Sequence, residues 1–391
     1  MAKYFFPSSF LLFLGNWIGQ ITLNWYVFNL YHNAIYLGLI NFFRLVPILL
    51  ISLWAGALAD RCDRGKLLRI TITSSFILTT ILCLLVLQNN NLPIAIFLIY
   101  SLGRGIISAV ETPVRQAVLP DLTERLSTTQ AVSYHSFIIN ICRSIGPAVA
   151  GFIMATYNAE VSFSVQALCY FIAVLCCIPL KFPKNIQTRE QSKVSIKFVL
   201  EYFKDHRIGA RIFITSLLIM ATGFTYTTLL PVLTDKTFPD QVAIFGNAMT
   251  CCAIGGIIAT MLLPNLLNKI SMVHMYYFSS ILFGIALIGA MSNQTIILFI
   301  SLFFIGLFSQ WARTTNRVYF QKQLPREHRG KILSVVMMDR GMIPLGAVVM
   351  SFLADLIGII ETFLIMGIST TVIGIVFLII NKFSKDGGKV V

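Results

Sequence analysis

Apolar residues run almost unbroken over long stretches of this chain, and polar residues gather in short clusters between them. Twelve such runs stand out, over 9–31, 36–59, 68–88, 93–112, 129–156, 161–180, 209–232, 242–264, 271–291, 295–313, 331–357 and 361–381. Each is long enough to cross about 30 Å of hydrocarbon as an α-helix. The pattern predicts an all-α polytopic membrane protein with twelve transmembrane helices. The longest break lies at 181–208. Within it Ile196, Val199, Leu200 and Phe203 recur at helical spacing after Ser195, which predicts a short amphipathic helix on the membrane surface. This linker divides the chain into a six-helix bundle over 1–180 and a second over 209–391. The first run is too long for a signal-peptide core and no small-residue cleavage site follows it, so it is expected to remain as the first helix.

Composition points the same way. The chain is 57% hydrophobic and 12% charged, with a mean hydropathy of +0.80, whereas soluble domains run near a quarter charged. The net charge of +14 raises nucleic acid as a partner until the charges are mapped onto the helices. With the N-terminus in the cytoplasm, the external loops hold only Lys236. Arg44, Arg104, Arg143 and Arg340 are embedded, and every other Lys and Arg falls on the cytoplasmic side. The charge is therefore a topology signal that places both termini inside, with the lipid bilayer and not nucleic acid as partner. No cysteine lies in an external loop: Cys62 is in a cytoplasmic loop and the others sit within runs. Neither a disulfide framework nor a metal site is implied.

The two halves carry a faint repeat. Thr112-Pro113-Val114-Arg115 after the fourth run matches Thr314-Thr315-Asn316-Arg317 after the tenth. Each is followed by Leu-Pro, a polar loop and a run with a central proline, Pro147 or Pro344. Two parallel six-helix repeats with a substrate site near the midplane are a recurring transporter architecture. Between the second and third runs stands Gly56-Ala57-Leu58-Ala59-Asp60-Arg61, then Arg64-Gly65-Lys66. Topology explains the basic residues of this loop but neither its glycines nor Asp60, which is placed to pair with Arg115 or to cap a neighbouring helix. The fifth run carries Arg143, Gly146-Pro147 and Gly151, with Cys142 and Ala150 among them. Gly-Pro thins and bends a membrane helix and lets a neighbour approach.

These motifs resemble the major facilitator superfamily. Together with Glu111-Thr-Pro-Val-Arg-Gln-Ala-Val-Leu-Pro-Asp121, the fifth-helix pattern is similar to the twelve-helix exporter group of enterobactin exporters and macrolide efflux pumps. The resemblance implies two pseudo-symmetric six-helix bundles in a bacterial cytoplasmic membrane, working as a monomer. It implies a cytoplasmic latch at Gly56, Asp60, Arg61, Arg64, Gly65 and Arg115. It also implies an antiporter-like role for Arg143, Gly146, Pro147 and Gly151, and a path lined by the first, fourth, seventh and tenth helices.

Candidate chemistry follows from polar residues at membrane depth, which are costly unless used or paired. Asn16, Gln20 and Asn24 recur every four residues on the first helix, and Tyr226, Gln310 and Trp311 lie on the seventh and tenth. With Arg44, Arg104 and Arg143 they form the candidate substrate-binding set, interhelical hydrogen bonding being the competing explanation. Arginines outnumber embedded acids, so the interior is cationic and favours an anionic, amphipathic cargo. Proton coupling needs a group that exchanges a proton. Glu111 and Asp339 are candidates because burial disfavours a charged carboxylate, and His135 because an imidazole titrates near neutrality. No phosphate-cradling loop, nucleophile elbow or His-Glu-x-x-His pattern occurs, so neither an enzyme nor a cofactor is expected. The expected function is export of a small molecule, a siderophore or drug-like compound, by alternating access in exchange for protons. Import of an iron–siderophore complex or metabolite is the alternative.

Overall fold

A computed structural model describes residues 1–89, 91–122, 128–180, 202–239, 241–323, 335–336, 339 and 341–383. The side chains of 49, 52–61, 120, 128–129, 133, 242 and 382 are outside that description. The first half contains α1 (Ala2–Tyr31), α2 (Ala34–Arg61), α3 (Arg64–Gln88), α4 (Ile94–Val118), a 3-10 turn (Leu119–Leu122), α5 (Thr128–Thr156) and α6 (Ala159–Cys177). The second contains α7 (Arg207–Thr222), α8 (Tyr226–Thr237), α9 (Val242–Leu267), α10 (Met272–Gly289), α11 (Thr295–Gln323), α12 (Met342–Ile357) and α13 (Ile359–Phe383). Among the described residues nine helical segments are long and apolar enough to cross a membrane. The expected amphipathic helix after Ser195 falls almost wholly outside the described residues.

The surface chemistry is that of a protein in lipid. On α3, Ile70, Ile77, Ile81, Leu84 and Leu87 are exposed, while Thr71, Ser75 and Thr79 are buried. Where the solvent is hydrocarbon, apolar residues gain nothing by turning inward, and small polar residues hydrogen-bond between helices instead.

Residues Met1–Glu190 with Phe245–Thr250 cluster as one compact unit, and Gln191–Ile244 with Cys251–Val391 as another. Within the first, α1 packs on α5 and α6, α2 on α4, and α3 on α4 and α6. The second unit repeats these pairings, with α7 on α12 and α13, and α10 on α11 and α13. In each unit a glycine lets two helix backbones approach closely. A Cβ at Gly105 of α4 would overlap the Arg44 carbonyl oxygen of α2, and one at Gly306 of α11 would overlap the Cys252 carbonyl oxygen of α9. The faint sequence repeat is thus a repeat of helix contacts.

Three departures from the expected runs bear on function. The seventh run is two helices, because Gly223, Phe224 and Thr225 break it: the Thr225 hydroxyl donates to the Thr222 carbonyl (2.8 Å), in competition with the backbone ladder. Helices α4 and α11 continue to Val118 and Gln323, past the expected ends at 112 and 313, so Arg115 and Asn316 are helical. Asp339, expected inside the eleventh helix, precedes α12, which starts at Met342. Hydropathy reports where hydrocarbon ends, and hydrogen bonding decides where a helix ends.

Candidate functional site

The centre of the first unit is an arginine pair sharing one amide. Arg44 of α2 donates from Nη2 to Asn16 Oδ1 on α1 at 2.6 Å. Arg104 of α4 donates from its own Nη2 to the same oxygen at 3.1 Å. Arg104 is further held by the Tyr170 hydroxyl (2.8 Å) and by Ser75 Oγ. Its guanidinium also stands 4.8 Å from the Tyr170 ring centroid, within cation–π range. Gln166 of α6 donates to Tyr170 (3.2 Å) and Tyr100 (3.1 Å), fixing the phenols. Arg104 is 3% exposed, while Arg44 is only partly buried. Among the described residues no carboxylate forms an ion pair with either. Next to the pair, Gln20 donates to Asn41 (3.4 Å) and Asn41 to Asn24 (3.1 Å). The polar stripe of α1 is therefore tied to α2 along its length.

The inner end of α4 is organised differently. Arg115 donates from Nε to Glu111 Oε1 at 3.0 Å and from Nη1 to Ser9 Oγ at 2.7 Å. Both members of this ion pair are buried. Glu111 thus makes its ion pair with Arg115. Arg64 of α3 donates from Nη1 to Asp121 Oδ2 (2.9 Å) and to the Ala117 carbonyl (3.0 Å), bridging α3 to the turn after α4. Gly65 is buried beside it. The side chains of Asp60 and Arg61, and the Gly56 position in the latch, lie outside the described side chains.

On α5, Arg143 donates to Asn140 Oδ1 (2.8 Å). His135 is buried against Phe5 and Phe13 of α1, at 5.9 and 5.6 Å between ring centroids. Gly146 packs on Trp17, whose Cβ fills the space a side chain would need. Pro147 follows within the helix, and Gly151 is buried.

The second unit holds a carboxylate without an ion-pair partner among the described residues. Asp339 Oδ2 accepts from Ser216 Oγ of α7 (2.6 Å) and Asn316 Nδ2 of α11 (3.3 Å). Asn316 also donates to Ser216 (2.9 Å). A small cavity adjoins this group, lined by Ser216, Tyr276, Arg313 and Asn316 among others. Arg313 Nε and Asn316 Oδ1 are buried without a hydrogen-bond partner, and the Arg313 guanidinium lies 4.4 Å from the Phe224 ring centroid. Tyr226 meets Cys252 Sγ at 3.3 Å. Trp311 donates to the Ala259 carbonyl (2.9 Å), and Gln310 to Thr260 (3.3 Å) and Thr314 (3.2 Å), so both bind α11 to α9.

The family model described as transmembrane secretion effector matches residues 3–386. The chain belongs to this family of major facilitator transporters. The transporter is 63% identical over 386 residues to the staphyloferrin A transporter of Staphylococcus aureus (strain NCTC 8325 / PS 47), covering 98% of this chain and 97% of the relative. It is 23% identical over 379 residues to macrolide efflux protein A of Streptococcus pyogenes, covering 94% and 92%. Among solved structures, the nucleoside transporter NupG superposes with a TM-score of 0.76 at 17% identity, covering 98% of this chain and 99% of that one. The last likeness establishes the fold, and the chain is a multi-pass membrane transporter, not an enzyme.

Several residues of this transporter's sites were not singled out in the sequence. Asn41 lies three positions before Arg44, on one helical face, and Gln166 and Tyr170 are spaced four apart on α6. Those spacings were available signals. Ser216 carried none, since a single serine in an apolar helix is ordinary. Asn316 stood in the repeat beside Arg317, but its partner Asp339 comes from a distant stretch of chain.

Proposed function

We propose that this transporter exports an anionic siderophore, staphyloferrin A or a close relative, by alternating access in exchange for protons. One observation carries the chemistry: two arginines converge at membrane depth with no carboxylate beside them among the described residues. A cationic interior suits an anion and opposes the cationic drugs that an acidic cavity would take. The relationship to the staphyloferrin A transporter along nearly the whole chain supplies the cargo, and the secretion family supplies the direction.

In this reading the bundles are those over 1–180 and 209–391, with 181–208 between them in sequence and both termini in the cytoplasm of a bacterial cell. The transporter acts as a monomer. Of the three proton-exchanging candidates, Asp339 is best suited. Glu111 is committed to Arg115 and His135 is packed between phenylalanine rings, whereas the donors to Asp339 among the described residues are neutral and both line a small cavity.

The test is uptake of radiolabelled staphyloferrin A into inside-out membrane vesicles with an imposed pH gradient, acidic in the lumen. Accumulation that collapses with the gradient supports the proposal. Uptake only in right-side-out vesicles would reverse the direction to import, and uptake indifferent to the gradient would remove the proton.

A further inference from the structure

The first unit offers a specific receptor for one carboxylate group. Arg104 and Arg44 play unequal parts in it. Arg104 is fixed on three sides, by Ser75, Tyr170 and Asn16, and is almost completely buried. Arg44 is less buried, and among the described residues its guanidinium makes one hydrogen bond, to Asn16. A guanidinium has five N–H donors in a planar fork, so Arg44 retains most of its capacity. The Asn16 oxygen accepts from both cations, at 2.6 and 3.1 Å. A neutral amide oxygen satisfies hydrogen bonds but cancels no charge. Two like charges focused on a neutral acceptor have the geometry of an anion site with a neutral group in the anion's place.

We infer that Asn16 is a placeholder: the cargo presents a carboxylate that takes the Asn16 oxygen's position between Arg44 and Arg104, and the Asn16 amide turns to donate to it. Arg104 is the fixed anchor and Arg44 the arm that closes on the anion. The inference rests on the export reading for its cargo, but not for its chemistry. Bidentate capture by arginine is the common solution for carboxylates. The amide suits the exchange because its NH2 end becomes a donor to the anion once its oxygen is displaced. A permanent acid at position 16 would instead hold both cations shut.

That last point is open to experiment. The full-length protein in detergent is tested by equilibrium binding of radiolabelled staphyloferrin A and, separately, citrate as a plain carboxylate probe. Asn16→Asp places a resident carboxylate between the guanidiniums without changing side-chain size. It is expected to raise the melting temperature and to weaken binding of both probes about 100-fold. Arg44→Gln, which removes the arm and leaves the Arg104 anchor in place, is expected to weaken binding about 10- to 100-fold, the loss typical of a charged hydrogen bond. Arg44→Lys should recover part of it. Lys236→Gln, on an exposed site, serves as the control. An Asn16→Asp protein that melts higher yet binds both probes like wild type overturns the inference, because the arginines would then be purely structural. If wild type binds citrate through Arg44 but ignores staphyloferrin A, the site stands and the cargo assignment falls. If wild type binds staphyloferrin A and the Arg44 variants bind it equally, the cargo stands and the site falls.

Discussion

Gly105→Ala tests whether helix packing builds the arginine pair. The added Cβ would overlap the Arg44 carbonyl oxygen and lie 2.9 Å from the Arg44 carbonyl carbon and 3.0 Å from Pro47 Cγ. Comfortable carbon contacts begin near about 3.5 Å, so α2 and α4 must separate by roughly half an ångström or more. Neither neighbour can yield locally, since one is backbone and the other a ring closed on its own backbone. Overpacking of this kind typically costs about 1–3 kcal/mol. The separation falls at Arg44, whose 2.6 Å bond to Asn16 must stretch or the side chain must swing away. Losing a hydrogen bond to a charged group costs a further ~1.5–3 kcal/mol, here mostly in ligand affinity.

Gly105→Ala should therefore melt earlier than wild type and bind staphyloferrin A at least about 10-fold more weakly, that factor corresponding to about 1.4 kcal/mol. Gly103→Ala is the matched comparison two positions away. Its Cβ would meet Leu78 Cδ2 at 2.9 Å, the far end of a flexible side chain, with the next atom at 3.8 Å. That variant should stay close to wild type. Thermal unfolding by intrinsic fluorescence and equilibrium binding read the two effects. Wild-type melting and affinity in Gly105→Ala, or an equal loss in Gly103→Ala, would refute the packing argument.

Three other outcomes are expected. Glu111→Gln or Arg115→Gln alone leaves a buried, uncompensated charge, a loss of about 3–5 kcal/mol, and the double variant should be less destabilised than either single one in a thermal-unfolding cycle. Arg64→Ala removes a partly exposed pair with Asp121 (18% and 15% exposed), so stability should fall by about 1 kcal/mol or less while the cycling rate in reconstituted vesicles changes more. Asp339→Asn keeps the side-chain size and the Ser216 contact but carries no exchangeable acid. It should exchange labelled for unlabelled staphyloferrin A like wild type and fail to accumulate it against a pH gradient, and accumulation intact in this variant would exclude Asp339 as the proton carrier.

What could be read in the chain beforehand depended on how local the signal was. Membrane class follows from apolar stretches that no soluble fold buries, and family from loop and fifth-helix motifs confined to a few residues. Arg44 and Arg104 stood out one at a time, because each is expensive where it sits. Their meeting on Asn16 was not readable: it depends on Gly105 letting α4 lie against the α2 backbone, a fact of packing between helices far apart in the chain. The Asp339–Ser216–Asn316 group is less local still, joining α7, α11 and the segment before α12. The break at Gly223–Thr225 escaped because the apolar residues on either side, Leu217 to Ala221 and Leu229 to Val232, keep the average hydropathy of the run high across a short polar stretch.

The first unit contains its own control for the meaning of a buried arginine. Arg115 and Arg104 lie on the same helix, both almost fully buried, and each faces the same desolvation, about 2.5–3.5 kcal/mol on insertion scales. Arg115 has a resident carboxylate one turn earlier, Glu111, and donates a second bond to Ser9, while its Nη2 is buried without a partner. That is how a chain treats an arginine whose task is to hold helices together. Among the described residues Arg104 forms no ion pair, and it has a second cation beside it. Two like charges that share one acceptor repel by several kcal/mol at an effective dielectric of about 20, which a shared neutral amide offsets only in part. An acid at position 16 would remove that penalty with a single-residue change. Its absence leaves the unloaded site electrostatically unsatisfied, and the missing energy is what an incoming carboxylate gains on binding.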